Sequence, residues 1–302
     1  MVVLLIMIAM PAGASRVLTV GPGQRLQVPS QAATIAADGD RIVIEPGTYA
    51  DCAVWSRSNL VIEARAPGVV ITGKPCGERG LFITTGRNIT IRGITFAGAE
   101  SVHGNAAGIL SLGANLTVRD SRFLNNQNGI LAAGPPDSVL RVEDSTFEGN
   151  GSCIGACAHA IYAGAAIAVL DIERSRFFNT RTAHHIKSRA RTTVIVGNRI
   201  EDGPEGTSSY LIETPNGGNL LVQDNVLHKG ALSENASTAI SIGVEGMSNA
   251  TEVMIIRDNR FRSDLPEPTL FVRNSTQIPA ILAGNRLTGR VTPLDGPGTV
   301  DP

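Results

Sequence analysis

One short pattern recurs along most of the chain and restricts the fold more than any other feature. Ile89-Thr-Ile-Arg-Gly-Ile-Thr-Phe96, Leu116-Thr-Val-Arg-Asp-Ser-Arg-Phe123, Leu140-Arg-Val-Glu-Asp-Ser-Thr-Phe147 and Leu170-Asp-Ile-Glu-Arg-Ser-Arg-Phe177 share it. Val194–Ile200, Leu221–Leu227, Ile255–Phe261 and Ile281–Leu287 continue it less strictly. Each copy is a short alternating strand, a small polar turn and a second apolar residue. The turn slot holds Ile94, Ser121, Ser145, Ser175, Asn198, Asn225, Asn259 and Asn285, at spacings of 27, 24, 30, 23, 27, 34 and 26. Intervals this uneven exclude a leucine-rich repeat or a propeller, and no helical period runs through them. They fit an all-β solenoid of about 8–10 coils, each made of three short strands whose connecting loops vary in length. Alternation sends Ile, Leu and Val inward, and the Ser and Asn of successive turns stack into a hydrogen-bonded ladder.

A solenoid needs its open end covered. Ser30-Gln-Ala-Ala-Thr-Ile-Ala-Ala37 reads as a short capping helix with Ser30 as N-cap, ended by Asp38-Gly39-Asp40. Arg41-Ile-Val-Ile-Glu-Pro-Gly-Thr-Tyr49 follows it. The alanine-rich cap, the G-D-x-I-x-I-x-P-G-x-Y stretch and the repeated coils together resemble the right-handed parallel β-helix proteins of the pectate-lyase-like superfamily, over residues 28–290. The resemblance implies the fold and a link to carbohydrates. Lyases, hydrolases, epimerases and adhesins share this architecture, so activity has to be argued from a site. The expected organisation is a signal peptide over 1–14, an N-terminal segment and cap over 15–40, the β-helix over 41–291 and an irregular tail over 292–302.

The apolar run Val2–Met10 is too short to span a bilayer, and Pro11 and Ala12-Gly13-Ala14 follow it. It predicts export to the periplasm or the extracellular space, with no further membrane association. Four cysteines suit that compartment. Cys52 and Cys76 lie 24 residues apart and Cys153 and Cys157 form a C-x-x-x-C pair, so two disulfides are possible, with buried free thiols as the alternative. No further Cys and no H-x-x-x-H pair completes a zinc site.

A second column locates candidate chemistry. Ile109, Ile130, Ile161, Ile186, Ile212 and Ile240 occupy one inward slot, so Leu110, Leu131, Tyr162, Lys187, Glu213 and Ser241 point outward. Tyr162, Lys187 and Glu213 then stand side by side on successive coils. In Ala183-His-His-Ile-Lys-Ser-Arg-Ala-Arg191, alternation places His185, Lys187 and Arg189 outward, with Arg191 beyond them. Two residues before the Ile rung stand His159, His184 and Tyr210, either as an inward ladder or at the turn ahead of the strand. Three of the 5 His and two of the 3 Tyr fall on these coils.

Such a cluster suits β-elimination from a uronate-containing polysaccharide, in which a cation neutralises the carboxylate, a base takes the C5 proton and an acid protonates the leaving oxygen. Arg189 or His185 is expected to hold the carboxylate, Lys187 with a lowered pKa to be base and Tyr162 acid. His159, His184, Tyr210, Glu213 and Arg191 are expected to bind substrate. The acidic cluster of calcium-dependent pectate lyases is missing near Lys187, as are the N-T-D and D-D pairs of the polygalacturonate hydrolases, and Glu213 has only Glu245 a coil further on. A lyase without metal or other cofactor is therefore expected. A uronate C5-epimerase and a non-catalytic carbohydrate-binding or adhesion solenoid are the alternatives. The net charge of −1 and the 4% aromatic content give no support to nucleic acid as a partner.

Overall fold

The computed structural model describes residues 15–301, so the expected signal segment lies outside the described residues. The chain winds through three parallel sheets of twelve, ten and ten strands: ten complete coils contribute one strand to each, and Val17–Val20 and Gly298–Asp301 add a strand at either end of the first. The first sheet runs from Val17–Val20 to Gly298–Asp301, the second from Gly47–Ala50 to Arg286–Thr288 and the third from Ala53–Trp55 to Val291–Asp295. Stacking in register converts sequence intervals of 23–34 residues into direct neighbours: Leu116 pairs with Ile89 and Leu140, and Phe123 with Phe96 and Phe147.

The repeated turn joins the first sheet to the second. The residue before each turn slot adopts a left-handed conformation: Asp120, Asp144, Arg174, Asp224 and Asp258 at φ 48 to 57°, and Gly93, Gly197 and Gly284 at φ 61 to 73°. Asp and Gly tolerate that region, which explains their place in the motif. The following side chain is buried and bonds along the solenoid. Asn225 Nδ2 donates to Ile195 O (2.9 Å) and to Asn259 Oδ1 (3.0 Å), while Asn225 Oδ1 accepts from the Asn198 amide N–H (2.8 Å) and side chain (3.1 Å). Beside this ladder, Phe96, Phe123, Phe147 and Phe177 stack inside the core with centroids 4.6–5.3 Å apart. Each buried ring contributes about 2–3 kcal/mol of apolar burial.

The cap helix is present but starts elsewhere. It spans Pro29–Ile35 with Pro29 in its first turn and no side-chain N-cap, and the Ser30 amide donates to Asp51 Oδ2 at 2.8 Å instead. Proline fits the first helical position because its missing N–H has no partner there. Cys52 pairs with Cys76 and Cys153 with Cys157. The tail is not irregular: Val291–Asp295 pairs with Thr269–Asn274, and Gly298–Asp301 with Ala280–Ala283, completing a final coil. Pro293 is tolerated because this strand lies at the sheet edge, where a missing N–H costs no ladder bond.

The ladder makes a direct prediction. Asn225→Leu takes away the acceptor of the buried Asn198 backbone N–H and the side-chain donor to the Ile195 carbonyl, and urea unfolding is expected to show a loss of about 3 kcal/mol. A change below about 1 kcal/mol would mean that the ladder does not hold the coils together.

Candidate active site

The outward column of the third sheet is realised in the predicted register. Leu131 stands opposite Tyr162, Tyr162 opposite Lys187, Lys187 opposite Glu213 and Glu213 opposite Ser241. An open cleft of about 550 Å³ lies over this column, lined by Asn128, His159, Tyr162, His184, Lys187 and Arg189 among others. Its rim includes Cys153 and Cys157, whose disulfide closes a short loop between the second and third sheets.

Four charges and a phenol form the centre. Lys187 Nζ lies 2.8 Å from Glu213 Oε2 and donates to Glu245 Oε1 at 2.9 Å. Arg189 reaches Glu245 Oε2 through Nη2 at 2.6 Å, donates from Nε to Tyr162 Oη at 3.0 Å, and donates from Nη1 to Asn216. One carboxylate thus bridges both cations. Glu213 is buried beneath Lys187, whereas the Glu245 side chain is 41% exposed. Burial pulls the Lys187 pKa down, but Glu213 and Glu245 outweigh it and hold the ammonium above its ordinary range. Burial alone would raise both carboxylates; their partners instead keep them below the usual range, His184 and Lys187 acting on Glu213, Lys187 and Arg189 on Glu245.

His159, His184 and Tyr210 precede the strands Ile161–Ala163, Ile186–Ser188 and Ile212–Thr214, and the two histidines line the cleft. The rings stack at 4.8 and 5.0 Å. Asn128, His159 and His184 each accept a backbone N–H from the next coil: His159 N–H donates to Asn128 Oδ1 (2.9 Å), His184 N–H to His159 Nδ1 (3.2 Å) and Tyr210 N–H to His184 Nδ1 (3.2 Å). An accepting Nδ1 leaves the ring proton on Nε2. His184 Nε2 lies 3.1 Å from Glu213 Oε2. Burial, reinforced by the neighbouring His184, Lys187 and Arg189, drives the His159 pKa well below its ordinary value and keeps the ring neutral.

Three expectations need correction. His185 does not face the cleft: it is fully buried, with Nδ1 2.7 Å from Thr180 Oγ1 and Nε2 3.0 Å from Asp202 Oδ1. Alternation holds only within the three-residue strand, and the left-handed residues Thr182 and Ala183 (φ 53° and 52°) shift its phase just ahead, turning His184 out and His185 in. Lys187 has a raised rather than lowered pKa, because two carboxylates rather than further cations surround it. Arg191 stands apart, paired with Asp137 on the turn before Thr192–Val196. The sequence reasoning also missed Asn128, although it occupies the slot two before an Ile rung that singled out His159, His184 and Tyr210, and it missed Asn216.

Beneath the cleft a buried network anchors the loops that carry these groups. Asp202 accepts from Ser208 and from the Gly230 amide N–H (2.9 Å), and Lys229 Nζ donates to the Ser209 carbonyl at 2.6 Å. Burial lowers the Lys229 pKa to about 8, against the opposing pull of Asp202.

A family model described as the right handed beta helix region matches residues 47–200, just over half of the chain. The chain belongs to the right-handed β-helix family. The crystal structure of alginate lyase from Paenibacillus sp. str. FPU-7 superposes with a TM-score of 0.66 at 17% identity, covering 89% of this chain and 95% of that one. Pectin methylesterase PemA from Erwinia chrysanthemi gives a TM-score of 0.44 at 9% identity, covering 92% and 80%. No curated protein sequence matches the chain. The family match and the likeness to the alginate lyase establish the three-sheet right-handed solenoid of this β-helix protein, and the chemistry rests on its own cleft.

Lys229 gives a pH test of the buried network. Its folded pKa of about 8 lies below the ordinary 10.5, so the unfolded chain binds more protons between those values and stability rises with pH across that window. Urea unfolding from pH 8 to 10 is expected to show this rise in the parent and to lose it in Lys229→Met; equal slopes would mean that Lys229 titrates normally.

Proposed function

We propose that this β-helix protein is a polysaccharide lyase that cleaves a uronate-containing polysaccharide by β-elimination in the third-sheet cleft, and that it works outside the cytoplasm. The observation that carries the reading is the bridge of Glu245 across Lys187 and Arg189 beside Tyr162: two cations already arranged around a carboxylate, at the mouth of an open cleft. The two disulfides support an oxidising compartment.

The substrate carboxylate takes the place of the half-exposed Glu245 carboxylate. Charge on Lys187 and Arg189 then stabilises the negative charge that develops on the uronate as its C5–H bond breaks. Glu213 lies too deep to reach the proton, His159 and His184 each carry their ring proton on Nε2, that of His184 turned to Glu213, and Lys187 retains its own proton, which leaves Tyr162 as base. In the form that has given up its proton, Tyr162 Oη takes the C5 proton while Arg189 Nε–H holds that oxygen. The C5 electron pair becomes the C4=C5 double bond, the C4–O bond breaks, and Lys187 Nζ donates a proton to the departing oxygen. Proton transfer from the phenol to the amine through solvent restores the starting state. This exchanges the roles expected from sequence for Tyr162 and Lys187.

The test is to incubate the protein with alginate, pectate, glucuronan and glycosaminoglycans, with and without EDTA, while following the ultraviolet absorbance of conjugated unsaturated ends. Product is expected on one polymer class, to survive EDTA, and to fall about 100-fold or more in kcat in Tyr162→Phe. No unsaturated ends on any polymer would overturn the lyase reading; exchange of the C5 proton without chain cleavage would identify an epimerase. Glu245→Gln removes the charge that competes with substrate, so KM is expected to fall severalfold with kcat retained. A rise in KM would show that Glu245 supports binding instead.

A further inference from the structure

The outer face of the second sheet lies on a different wall of the solenoid from the cleft and carries a charge pattern that the proposed reaction does not use. In register, Arg122 stands opposite Thr146, Thr146 opposite Arg176, Arg176 opposite Arg199, Arg199 opposite Val226, Val226 opposite Arg260 and Arg260 opposite Arg286. All five arginines are exposed. Arg262, two residues beyond Arg260, stands opposite His228 in the adjacent column. The first sheet shows what this chain does with arginine elsewhere: Arg41 and Arg92 share Glu63, Arg119 takes Glu143 and Arg141 takes Asp171. On the second sheet Arg199 has Glu201 and Arg262 has Asp264. Among the described residues no carboxylate lies within ion-pair distance of Arg122, Arg176, Arg260 or Arg286.

Like charges directly opposite on neighbouring strands are destabilising. This face carries two such pairs, Arg176–Arg199 and Arg260–Arg286, and of these four only Arg199 has a carboxylate partner; the first sheet's Arg92–Arg119 pair is instead neutralised by Glu63 and Glu143. Over Arg260 and Arg286 there is an open recess of about 370 Å³, bordered also by His228, Arg262 and Thr288.

We propose that this file of arginines is a second binding surface, which holds an acidic polysaccharide lengthwise along the solenoid. Successive strands place one guanidinium per coil or every second coil at a repeat of about 4.8 Å, in a line that suits a linear chain with one carboxylate per sugar. A guanidinium grips a carboxylate through two parallel N–H donors, so Arg rather than Lys is the suited residue. Phe178, beneath the Arg176 guanidinium at 5.7 Å, and the His228 imidazole are two isolated rings in the neighbouring outward column, separated by Glu201. That scarcity favours a polyuronate over single-stranded nucleic acid, which needs stacked rings. The surface would keep the polymer on the protein between encounters with the cleft, and it binds whether or not the cleft turns substrate over.

The experiment compares the full chain with Arg260→Ser/Arg286→Ser for binding to alginate and polygalacturonate by affinity electrophoresis across a salt series. Both side chains are exposed, and unchanged thermal unfolding will confirm that the double variant folds. Binding is expected to weaken about tenfold, with a shallower salt dependence, as two charge contacts are lost. The unsaturated-end assay on short oligomers, which fit within the cleft, is expected to be unchanged. Equal polyuronate binding by both proteins would overturn the proposal, and so would duplex DNA or RNA binding these arginines more tightly than either polyuronate. Because binding is read without turnover, a cleft that yields no lyase product leaves the test valid.

Discussion

Everything in this molecule depends on stacking identical backbone geometry in register at strand spacing. A turn that bends the chain between sheets must recur on every coil, and it recurs because one residue accepts a left-handed conformation and the next carries a side chain that bonds to its counterpart above. Asn does this best, since its amide both donates and accepts along the ladder, as Asn198, Asn225 and Asn259 show. Ser121, Ser145 and Ser175 do it with one oxygen each, which accepts from the preceding coil's amide and donates back to a carbonyl two residues away. Arg174 is the departure: a long side chain at φ 48°. It is held there by Asp144 and Glu173, which bond its guanidinium across the surface of the turn.

The same stacking builds the cleft. Residues 25 and 26 positions apart, Tyr162, Lys187 and Glu213, become neighbours only because their strands lie in register. Placing a carboxylate directly beside Lys187 balances charge on the sheet, and the price is a lysine that keeps its proton. Glu245 then completes a second ion pair from the loop after the third-sheet strand Thr238–Ile242, where it is exposed enough to be exchanged. Partly buried cations of fixed position and an exposed carboxylate that can leave together make a seat for an incoming acid group. The uneven loops between second and third sheets border that seat, so length variation in the repeat is concentrated where specificity would be set.

The repeat made the fold legible, because a period repeated eight times outweighs any single local ambiguity. The outward column at the site was legible for the same reason: a shared Ile rung fixes which neighbours point outward. What failed was everything just outside a strand. His185 and Arg191 lie beyond the residues over which alternation applies, and the left-handed pair Thr182 and Ala183 carries no mark in the sequence that would show the phase slip. The lysine's charge environment failed because Glu245 reaches back across two coils, 58 residues along the chain, from a loop that the repeat does not describe. The tail was misread because its Pro and Gly suggested an irregular end where Pro293 merely occupies an edge.

The central claim is that Lys187 and Arg189 form a carboxylate seat which Glu245 fills until substrate displaces it. A crystal structure of the Tyr162→Phe protein with a bound uronate oligomer tests this most directly. The account predicts a sugar carboxylate on both cations, the Glu245 side chain turned out to solvent, and the sugar C5 facing residue 162. An oligomer bound in the cleft with Glu245 still bridging Lys187 and Arg189 would contradict it.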